Sequence, residues 1–328
     1  MICLIVPGPA RRVAVRLLTA AALAAGVLVA GLPAARLPDA RAAALPAPSA
    51  AALAAGPAGR PHHVEARGGD LVNASTGRWL WGRELDQRRP MGSITKVMTA
   101  LVVIREGHLD RHIKITGAIP AYIRRHPDAS SAGLRAGDVL TVRQLLEAML
   151  VPSGCDAALA LAKADGPGRQ AFVQAMNATA QQLGMRGTHF SNFDGLPLPT
   201  EYSTYSTPRD LIILGQAAMK LSAFRSIVHQ QSYRLAKTAA HHAYSWKNTN
   251  LLLGSYPGTF GIKTGSTDAA GYCLLFEAAH DGTTLIGVVL HSSGTNPFTR
   301  FTAATRLLNW GFGTSVPLPQ RPAGPIRD

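Results

Sequence analysis

Strand patterns near both ends of the folded region constrain the architecture more than any other feature of this 328-residue chain. Segments rich in β-branched and aromatic residues, bounded by turn residues, occupy 64–85, 261–267, 271–278 and 284–292. Ser75-Thr76-Gly77 and His280-Asp281-Gly282 supply turns between neighbouring strands. The region between these strands is helical in pattern. We therefore predict an α/β (α+β) fold in which one antiparallel sheet, flanked by helices, carries an inserted all-helical subdomain.

Helix start and stop signals fill the middle of the chain. Thr141 and Gln144 form a capping box, and Pro152 ends the helix that follows it. Asp156 is predicted to cap the next helix, and Thr207-Pro208-Arg209-Asp210 opens another one. Apolar spacing predicts further helices over 171–183 and near 298–308.

The first 42 residues have the composition of a secretory signal. Arg11, Arg12 and Arg16 precede the uncharged apolar run 17–31, and Ala40-Arg41-Ala42 fits a small-x-small cleavage site. A retained anchor is the less favoured reading, because the apolar run is shorter than a membrane span requires. Residues 43–61 are predicted to be an Ala/Pro-rich linker, and 313–328 a proline-rich tail. We expect an exported protein at the outer face of the membrane or at the cell wall.

Charge and cysteine usage narrow the possible partners. Removing 1–42, which contains five arginines and one aspartate, lowers the net charge from +14 to +10. The basic residues are scattered, which favours peripheral association with an anionic wall or membrane over nucleic-acid binding. Cys155 and Cys273 could form one disulfide. The pairs His62-His63 and His241-His242 are interpreted as surface histidines, so no metal or cofactor is predicted.

Ser93 and Lys96 are the first candidate catalytic pair. Apolar residues at Ile94, Val97, Met98, Leu101 and Val102 have the spacing of one buried helical stripe. A serine three residues before a lysine shares its helix face, and a lysine half-buried at a helix N-terminus can act as a base toward the hydroxyl. Taken alone, the Ser-x-x-Lys spacing is equally consistent with a solvated pair.

Two further clusters of polar residues indicate a function only when their order along the chain is considered. Val151-Pro152-Ser153-Gly154-Cys155 reads alone as a plain helix–helix corner, and the strand carrying Lys263, Thr264 and Gly265 reads alone as an edge strand protected by lysine. Ser-x-x-Lys, then Ser-Gly-Cys, then Lys-Thr-Gly is the motif order of penicillin-binding proteins and class A β-lactamases.

The chain resembles the low-molecular-mass penicillin-binding proteins of the D-alanyl-D-alanine carboxypeptidase family. The resemblance covers about 62–312 and extends to the segments Leu71 to Gly77, Ser130 to Leu134, Thr188-His189-Phe190, Ser206 to Leu211, Asn248-Thr249-Asn250 and Asn309 to Phe312. It implies a β-lactamase/transpeptidase-like catalytic domain over 62–312. The sheet lobe would comprise 62–105 and 245–312, and the helical lobe 106–244.

The resemblance also implies roles for individual residues. Ser93 would be the acylated nucleophile, Lys96 its base and Ser153 a proton relay. Lys263 and Thr264 would bind the substrate carboxylate, with Gly265 keeping the strand open to the peptide. The backbone N–H groups of Ser93 and Ser266 would form the oxyanion hole. The implied substrates are peptidoglycan pentapeptide stems that end in D-Ala-D-Ala, with β-lactams as inhibitors, and the implied state is a monomer without cofactors.

Cys155 departs from the commoner family pattern, which has Asn at this position. A thiol is shorter and a weaker hydrogen-bonding group than an amide. We therefore expect Cys155 to weaken substrate binding and to slow acylation by penicillin relative to Asn, without abolishing either. The Ser-Gly-Cys motif marks a branch with transpeptidase character, so transfer to an amine remains the alternative to hydrolysis.

Three rival functions remain open. Cys155 could itself be the nucleophile of a thiol enzyme, although no histidine stands at a recognisable spacing. A non-catalytic penicillin sensor would acylate once and stall. A β-lactamase is disfavoured because Glu201, the one glutamate between Cys155 and Lys263, lacks the Glu-x-x-x-Asn context of class A enzymes.

Overall fold

The computed structural model describes residues 59–164 and 168–321. The predicted signal 1–42, most of the predicted linker 43–61 and the end of the predicted tail lie outside these residues. The strands are β1 Gly68–Asn73, β2 Trp79–Arg83, β3 His112–Lys114, β4 Val139–Thr141, β5 Ser232–Leu235, β6 Tyr244–Lys247, β7 Thr259–Thr267, β8 Gly271–His280 and β9 Thr283–Leu290. The helices are α1 Thr95–Glu106, α2 Ala118–Arg125, α3 Val142–Leu150, α4 Cys155–Ala164, α5 Arg169–Gln182, α6 Pro208–Met219, α7 Ser222–Val228, α8 Leu252–Ser255 and α9 Thr299–Phe312.

One five-stranded antiparallel sheet joins the two ends of the described chain. Its strand order is β2-β1-β9-β8-β7, so the first hairpin pairs with the last strand, as the sequence pattern predicts. Asp281 and Gly282 link β8 to β9 with φ values of 46° and 74°. Positive φ at both central residues is the geometry of a type I′ turn, whose twist matches that of the flanking strands. This topology places β7 at one edge of the sheet.

Both faces of the sheet are buried. Leu71, Leu274 and Val289 pack in a cluster with α9, whereas Val72, Leu275 and Val288 belong to the larger cluster that includes α1 and α6. Successive residues of a strand point to opposite faces, so a sheet covered by helices on both sides needs apolar residues at nearly every position. This explains the near-continuous apolar runs of β8 and β9.

The segment 106–244 contains more than helices. The short antiparallel pairs β3–β4 and β5–β6 lie within it or at its end, so the inserted lobe is not purely helical. Helices α6 and α7 also fall inside 106–244, yet α6 packs on β1, β8 and β9, and α7 packs on β7. The insertion therefore contributes part of the cover of the sheet.

Helix α1 is the central helix of the described chain. Each residue from Thr95 to Val103 is buried, including Lys96 and Thr99. The sequence pattern predicts one buried stripe, but helices α3, α4, α5, α6 and α7 all contact α1 and leave it no solvated face over this stretch.

Within the described residues, no single helix is long and apolar enough to cross a membrane, and only the bent pair α6–α7 meets that test jointly.

Other expectations meet mixed outcomes. The capping box of Thr141 and Gln144 is present, and the Thr207 side chain accepts from Asp210 N at the start of α6. Cys155 and Cys273 are both buried, and the disulfide that the sequence allows between them is not formed. The interpretation of His241 as a surface residue is wrong, since only 8% of it is exposed. Its ring nitrogen Nδ1 lies 2.9 Å from His242 O, which gives the buried imidazole a polar partner.

Asp70 on β1 generates a prediction about stability. Burial raises the pKa of this carboxyl from 3.8 to about 7, although the nearby Arg209 charge opposes the shift. As pH rises from 4 toward about 7, the unfolded chain releases the Asp70 proton before the folded chain does. The folded state therefore loses stability across this window and recovers none of it above pH 7.

Asp70→Asn should remove this loss. We expect the variant to gain stability over the wild type as pH rises from 4 to 8, by the order of a few kcal/mol at the upper end. Denaturant unfolding at a series of pH values measures the difference, with Asp110→Asn at an exposed position as the control. Parallel stability curves for wild type and Asp70→Asn would contradict the prediction.

Candidate active site

Ser93 lies in a one-turn 3-10 helix, Gly92–Ile94, immediately before α1. Lys96 is the second residue of α1, so the three-residue spacing spans the junction of the two helices. Lys96 Nζ lies 2.6 Å from Ser93 Oγ and donates to Asp194 O at 2.9 Å. The sequence predicts a half-buried lysine, but Lys96 has no exposed surface. The hydroxyl and the amine therefore meet in a site shielded from bulk water.

Ser153 lies in the corner between α3 and α4. Its φ is 68°, a left-handed conformation that is uncommon for any residue with a side chain. Ser130 Oγ donates to Ser153 O at 2.8 Å, and Cys155 N donates to Ser130 O at 2.8 Å. These contacts hold the corner in place. The Ser153 hydroxyl is buried and has no hydrogen-bond partner among the described residues, so the hydrogen bond to Lys96 that a proton relay would use is not made in this state.

Cys155 lies close to Lys96 and 3.9 Å from Ser130 Oγ. Burial raises the pKa of its thiol to about 11, although the Lys96 charge partly opposes the shift. The thiolate is the nucleophilic form of cysteine, and a pKa this high leaves little of it at neutral pH. A thiol enzyme with Cys155 as nucleophile is therefore disfavoured on physical grounds.

Asp156 does not cap α4 as predicted. It lies in the first turn of the helix, and its carboxylate accepts from Ala132 N at 2.9 Å, from Leu134 N at 3.1 Å and from Ser131 Oγ at 2.8 Å. Its Oδ1 also accepts from Ala157 N at 3.0 Å, so the carboxylate links the first turn of α4 to 131–134. It thereby fixes the segment that includes Ser130 beside the Ser153 corner.

Strand β7 carries the third cluster along the outer edge of the sheet. Lys263 is 1% exposed and Thr264 is fully buried. Lys263 Nζ donates to Thr264 O at 3.2 Å and to Thr264 Oγ1 at 3.3 Å, while the Thr249 and Thr264 hydroxyl oxygens lie 2.6 Å apart. A cation and two hydroxyls are thus grouped on one short segment, a set that suits a carboxylate.

Two glycines bring β7 against the turn that holds Ser93. A Cβ on Gly92 would lie 2.5 Å from Ser266 N, and a Cβ on Gly265 would collide with Met91 O and lie 3.0 Å from Ser93 N. Gly265 is predicted to leave room for substrate, but the atoms that its missing Cβ leaves room for are main-chain atoms of 91–94. This crossing places the backbone of Ser93 beside that of Ser266, the two residues predicted to form the oxyanion hole.

Several functional residues escape sequence reasoning. Asp194 contributes the carbonyl that binds Lys96, and its own buried carboxylate accepts from Tyr122 OH at 2.7 Å. Ser130 and Thr249 lie in stretches typical of the family, but nothing in the sequence gives them a role. Because Asp194 is 98 positions from Lys96, only the folded structure reveals their contact.

A cleft of about 370 Å³ continues from the end of β7, with Leu196, Glu201, Ser266 and Tyr272 among its lining residues. Glu201 accepts from Thr267 Oγ1 at 2.9 Å and from Ala269 N at 3.2 Å. Both bonds are accepted by Oε2 of Glu201, which thereby holds the end of β7 and the residues that follow it. The cleft therefore extends the site on the side of Ser266.

Gly265→Ala tests the crossing of β7 and the Ser93 turn. The added methyl should displace the Ser93 turn and lower the rate of acylation by a β-lactam about 100-fold, since a shift of about 1 Å has effects of this size. Thermal unfolding should remain cooperative because β7 is an edge strand. Gly117→Ala is the matched control, since this glycine is exposed and a Cβ there meets no atom within 4 Å. Equal acylation rates in the two variants would show that the close approach is unimportant.

Comparison with known proteins identifies the family. The sequence profile of the D-alanyl-D-alanine carboxypeptidase family, peptidase family S11, matches residues 55–294. The chain is 43% identical over 261 residues to the D-alanyl-D-alanine carboxypeptidase of Streptomyces sp. strain K15, covering 76% of this chain and 88% of that protein.

Solved structures that resemble this one include a Streptomyces enzyme and a mycobacterial enzyme. The Streptomyces K15 DD-transpeptidase has a TM-score of 0.73 at 41% identity, covering 78% of this chain and all of that chain. A D-alanyl-D-alanine carboxypeptidase from Mycobacterium tuberculosis H37Rv has a TM-score of 0.70 at 30% identity, covering 79% of this chain and 96% of that chain. These matches confirm the predicted family and fold class. The chain therefore belongs to the D-alanyl-D-alanine carboxypeptidase family and is a serine-type peptidase.

Proposed function

We propose that Ser93 of this protein attacks the D-Ala-D-Ala bond of peptidoglycan stem peptides and forms an acyl-enzyme. The observation that carries this proposal is the 2.6 Å contact between Ser93 Oγ and the fully buried Lys96 Nζ. A serine becomes a strong nucleophile when an adjacent base takes its proton. Lys96 is the basic group placed to do so.

The acylation step follows from the positions of these groups. The Ser93 O–H bond breaks and its proton moves to Lys96 Nζ, while Oγ forms a bond to the carbonyl carbon of the penultimate D-Ala. The carbonyl oxygen becomes an oxyanion beside the N–H groups of Ser93 and Ser266. The C–N bond then breaks, and the amine of the departing D-Ala receives a proton through Ser153.

Lys263 and Thr264 suit the terminal carboxylate of this substrate. The ammonium and the Thr264 hydroxyl lie together on β7, one to two residues before Gly265, so a peptide running along this edge would place its C-terminus there. A β-lactam presents an acyl group followed by a carboxylate at a similar separation. We therefore propose that it acylates Ser93 as well.

The second step decides between two related activities. Water attacking the ester releases a shortened stem, and an amine attacking it joins two stems. The similar Streptomyces K15 structure is named a DD-transpeptidase, so the reaction with an amine is the alternative to test directly. Every group in the proposed mechanism comes from one chain, so a second copy is not required.

We also propose that the protein acts outside the cytoplasmic membrane. Its proposed substrate is located there, and 1–42 has the composition of a secretory signal. The net charge of +10 that remains without this segment favours contact with anionic wall polymers.

A Ser93→Ala variant tests the nucleophile. Intact-mass spectrometry after incubation with a penicillin should show one adduct on the wild type and none on Ser93→Ala. The exposed turn residue Ser75 gives the control variant Ser75→Ala, which should acylate like the wild type. An adduct that persists on Ser93→Ala would overturn the proposed function.

The product ratio with a D-Ala-D-Ala peptide tests the second step. We expect free acid as the main product in water, and transfer product to increase when glycine or a diaminopimelate-type amine is added. Chromatography of both products over a series of acceptor concentrations measures the partition. A protein that acylates once and releases neither product would instead be a sensor.

Cys155→Asn tests the departure from the commoner family pattern. An amide donates and accepts hydrogen bonds more strongly than a thiol, so acylation by β-lactams should accelerate severalfold. Cys273→Ala, which alters the other buried cysteine, should leave the rate unchanged. Stopped-flow acylation measures both, and an unchanged rate in Cys155→Asn would contradict the hypothesis.

A further inference from the structure

We infer that Asp194 is a positioning residue for Lys96, because its carbonyl holds the lysine nitrogen and its buried carboxylate stabilises the ammonium that acylation creates on Lys96. This inference rests on the proposed role of Lys96 as the base. Asp194 O accepts from Lys96 Nζ at 2.9 Å, on the nitrogen that also contacts Ser93 Oγ. Asp194 therefore binds Lys96 through its carbonyl and interacts with it electrostatically through its carboxylate.

The Asp194 carboxylate is fixed by its hydrogen bonds. Tyr122 OH donates to Oδ2 at 2.7 Å, and Leu196 N donates to Oδ1 at 3.2 Å. The residue has no exposed surface. A buried carboxylate with directed donors on both oxygens has little freedom to rotate, so its charge stays in one place.

The surrounding segment is fixed as well. Asn192 Oδ1 accepts from Gly195 N at 2.8 Å, and Thr99 on α1 donates to Phe193 O at 2.5 Å. A Cβ on Gly195 would collide with the Gly92 carbonyl, so this segment lies directly on the turn that carries Ser93. The position of Asp194 is thus tied to both the nucleophile and the base.

The charged and titratable groups that face Asp194 come from three helices. They are Lys96 on α1, Tyr122 on α2 with His126 at the end of that helix, and Cys155 on α4. Burial raises the pKa of Asp194, and the Lys96 charge and the Tyr122 hydrogen bond lower it. Burial and Asp194 raise the pKa of Tyr122, which keeps its hydroxyl a donor. The Lys96 charge therefore favours the ionised form of Asp194 against the effect of burial.

The proton transfer explains why this charge matters. When Ser93 gives its proton to Lys96, an ammonium forms at a position without contact with bulk water. An isolated buried cation is costly, and a nearby fixed anion offsets that cost. Asp194 would stabilise the ammonium without accepting its proton, as the aspartate of a Ser-His-Asp triad stabilises its imidazolium.

Asp194→Asn is the direct test because it removes the charge and keeps the shape. Without the anion, the ammonium is less stabilised relative to the free amine, so the acid limb of the pH–rate profile for β-lactam acylation should move to lower pH by about one unit. The plateau rate should fall about tenfold, since the lysine becomes a weaker base. Stopped-flow acylation with a chromogenic cephalosporin between pH 5 and 10 measures both effects.

Asp138 and Tyr244 provide a matched control pair. Asp138 is 5% exposed and accepts from Tyr244 OH at 2.6 Å, so Asp138→Asn removes an equivalent tyrosine-bonded carboxylate away from Lys96. We expect Asp138→Asn and Tyr244→Phe to alter thermal stability only. Tyr122→Phe removes a donor from Asp194 and should lower the plateau rate severalfold, and it carries the test if Asp194→Asn does not fold.

The outcomes separate this inference from the proposed function. An Asp194→Asn profile that coincides with the wild type, or that falls equally at every pH without a shifted limb, would overturn the role of the charge. Should Asp194→Asn fail to fold, an unchanged rate in Tyr122→Phe would have the same meaning. Neither result affects the Ser93→Ala experiment, whose adduct tests the nucleophile independently.

Discussion

The active site depends on one backbone contact, the crossing of β7 with the turn that carries Ser93. Gly92 and Gly265 stand at this crossing, where a side chain on either would meet main-chain atoms of the opposite segment. Main-chain atoms cannot move aside as a flexible side chain can, so the contact requires residues without a Cβ. Once the segments touch, the N–H groups of residues 93 and 266 belong to one site although they are far apart in sequence.

The sheet topology supplies the free edge that this crossing requires. Because β9 pairs with β1 on one side and β8 on the other, β7 remains the last strand and its outer edge is available to the Ser93 turn. Helix α1 then leads from this turn into the centre of the helical cluster. Ser93 is therefore attached to a rigid helix on one side and lies against the sheet on the other, an arrangement that limits its motion.

Buried charge is the second property that organises the site. Lys96, Lys263 and Asp194 each have at most 1% exposed surface. Charges in an environment of low polarity interact more strongly than they do in water, and they are expensive unless neighbours of opposite charge or hydrogen-bonding partners are fixed nearby. Main-chain carbonyls and the hydroxyls of Tyr122 and Thr264 supply such partners. The same environment makes the site sensitive to the charge of a bound substrate.

The sequence predicts the parts of this site that depend on local patterns. The contact of Ser93 with Lys96 is predictable because three residues span less than one helical turn. The hairpin at Asp281-Gly282 is predictable because these residues adopt positive φ. The role of Gly265 and the direction of the Asp156 carboxylate depend on segments that approach from elsewhere in the chain. The contact of Asp194 with Lys96 also depends on a distant segment, since a lone aspartate between turn residues carries no local signal of it.

Ser153 shows how a site can be assembled in advance of its substrate. A non-glycine residue in the left-handed region costs about 1 kcal/mol or more, and a buried hydroxyl without a partner costs about 1–3 kcal/mol. Ser153 combines both features, with its hydroxyl unbonded among the described residues. The helix–helix corner, fixed by Ser130 and by the start of α4, is strong enough to sustain this conformation. A substrate amine that hydrogen-bonds to the hydroxyl would relieve part of the cost, so the penalty in the free enzyme becomes a preference for the bound state.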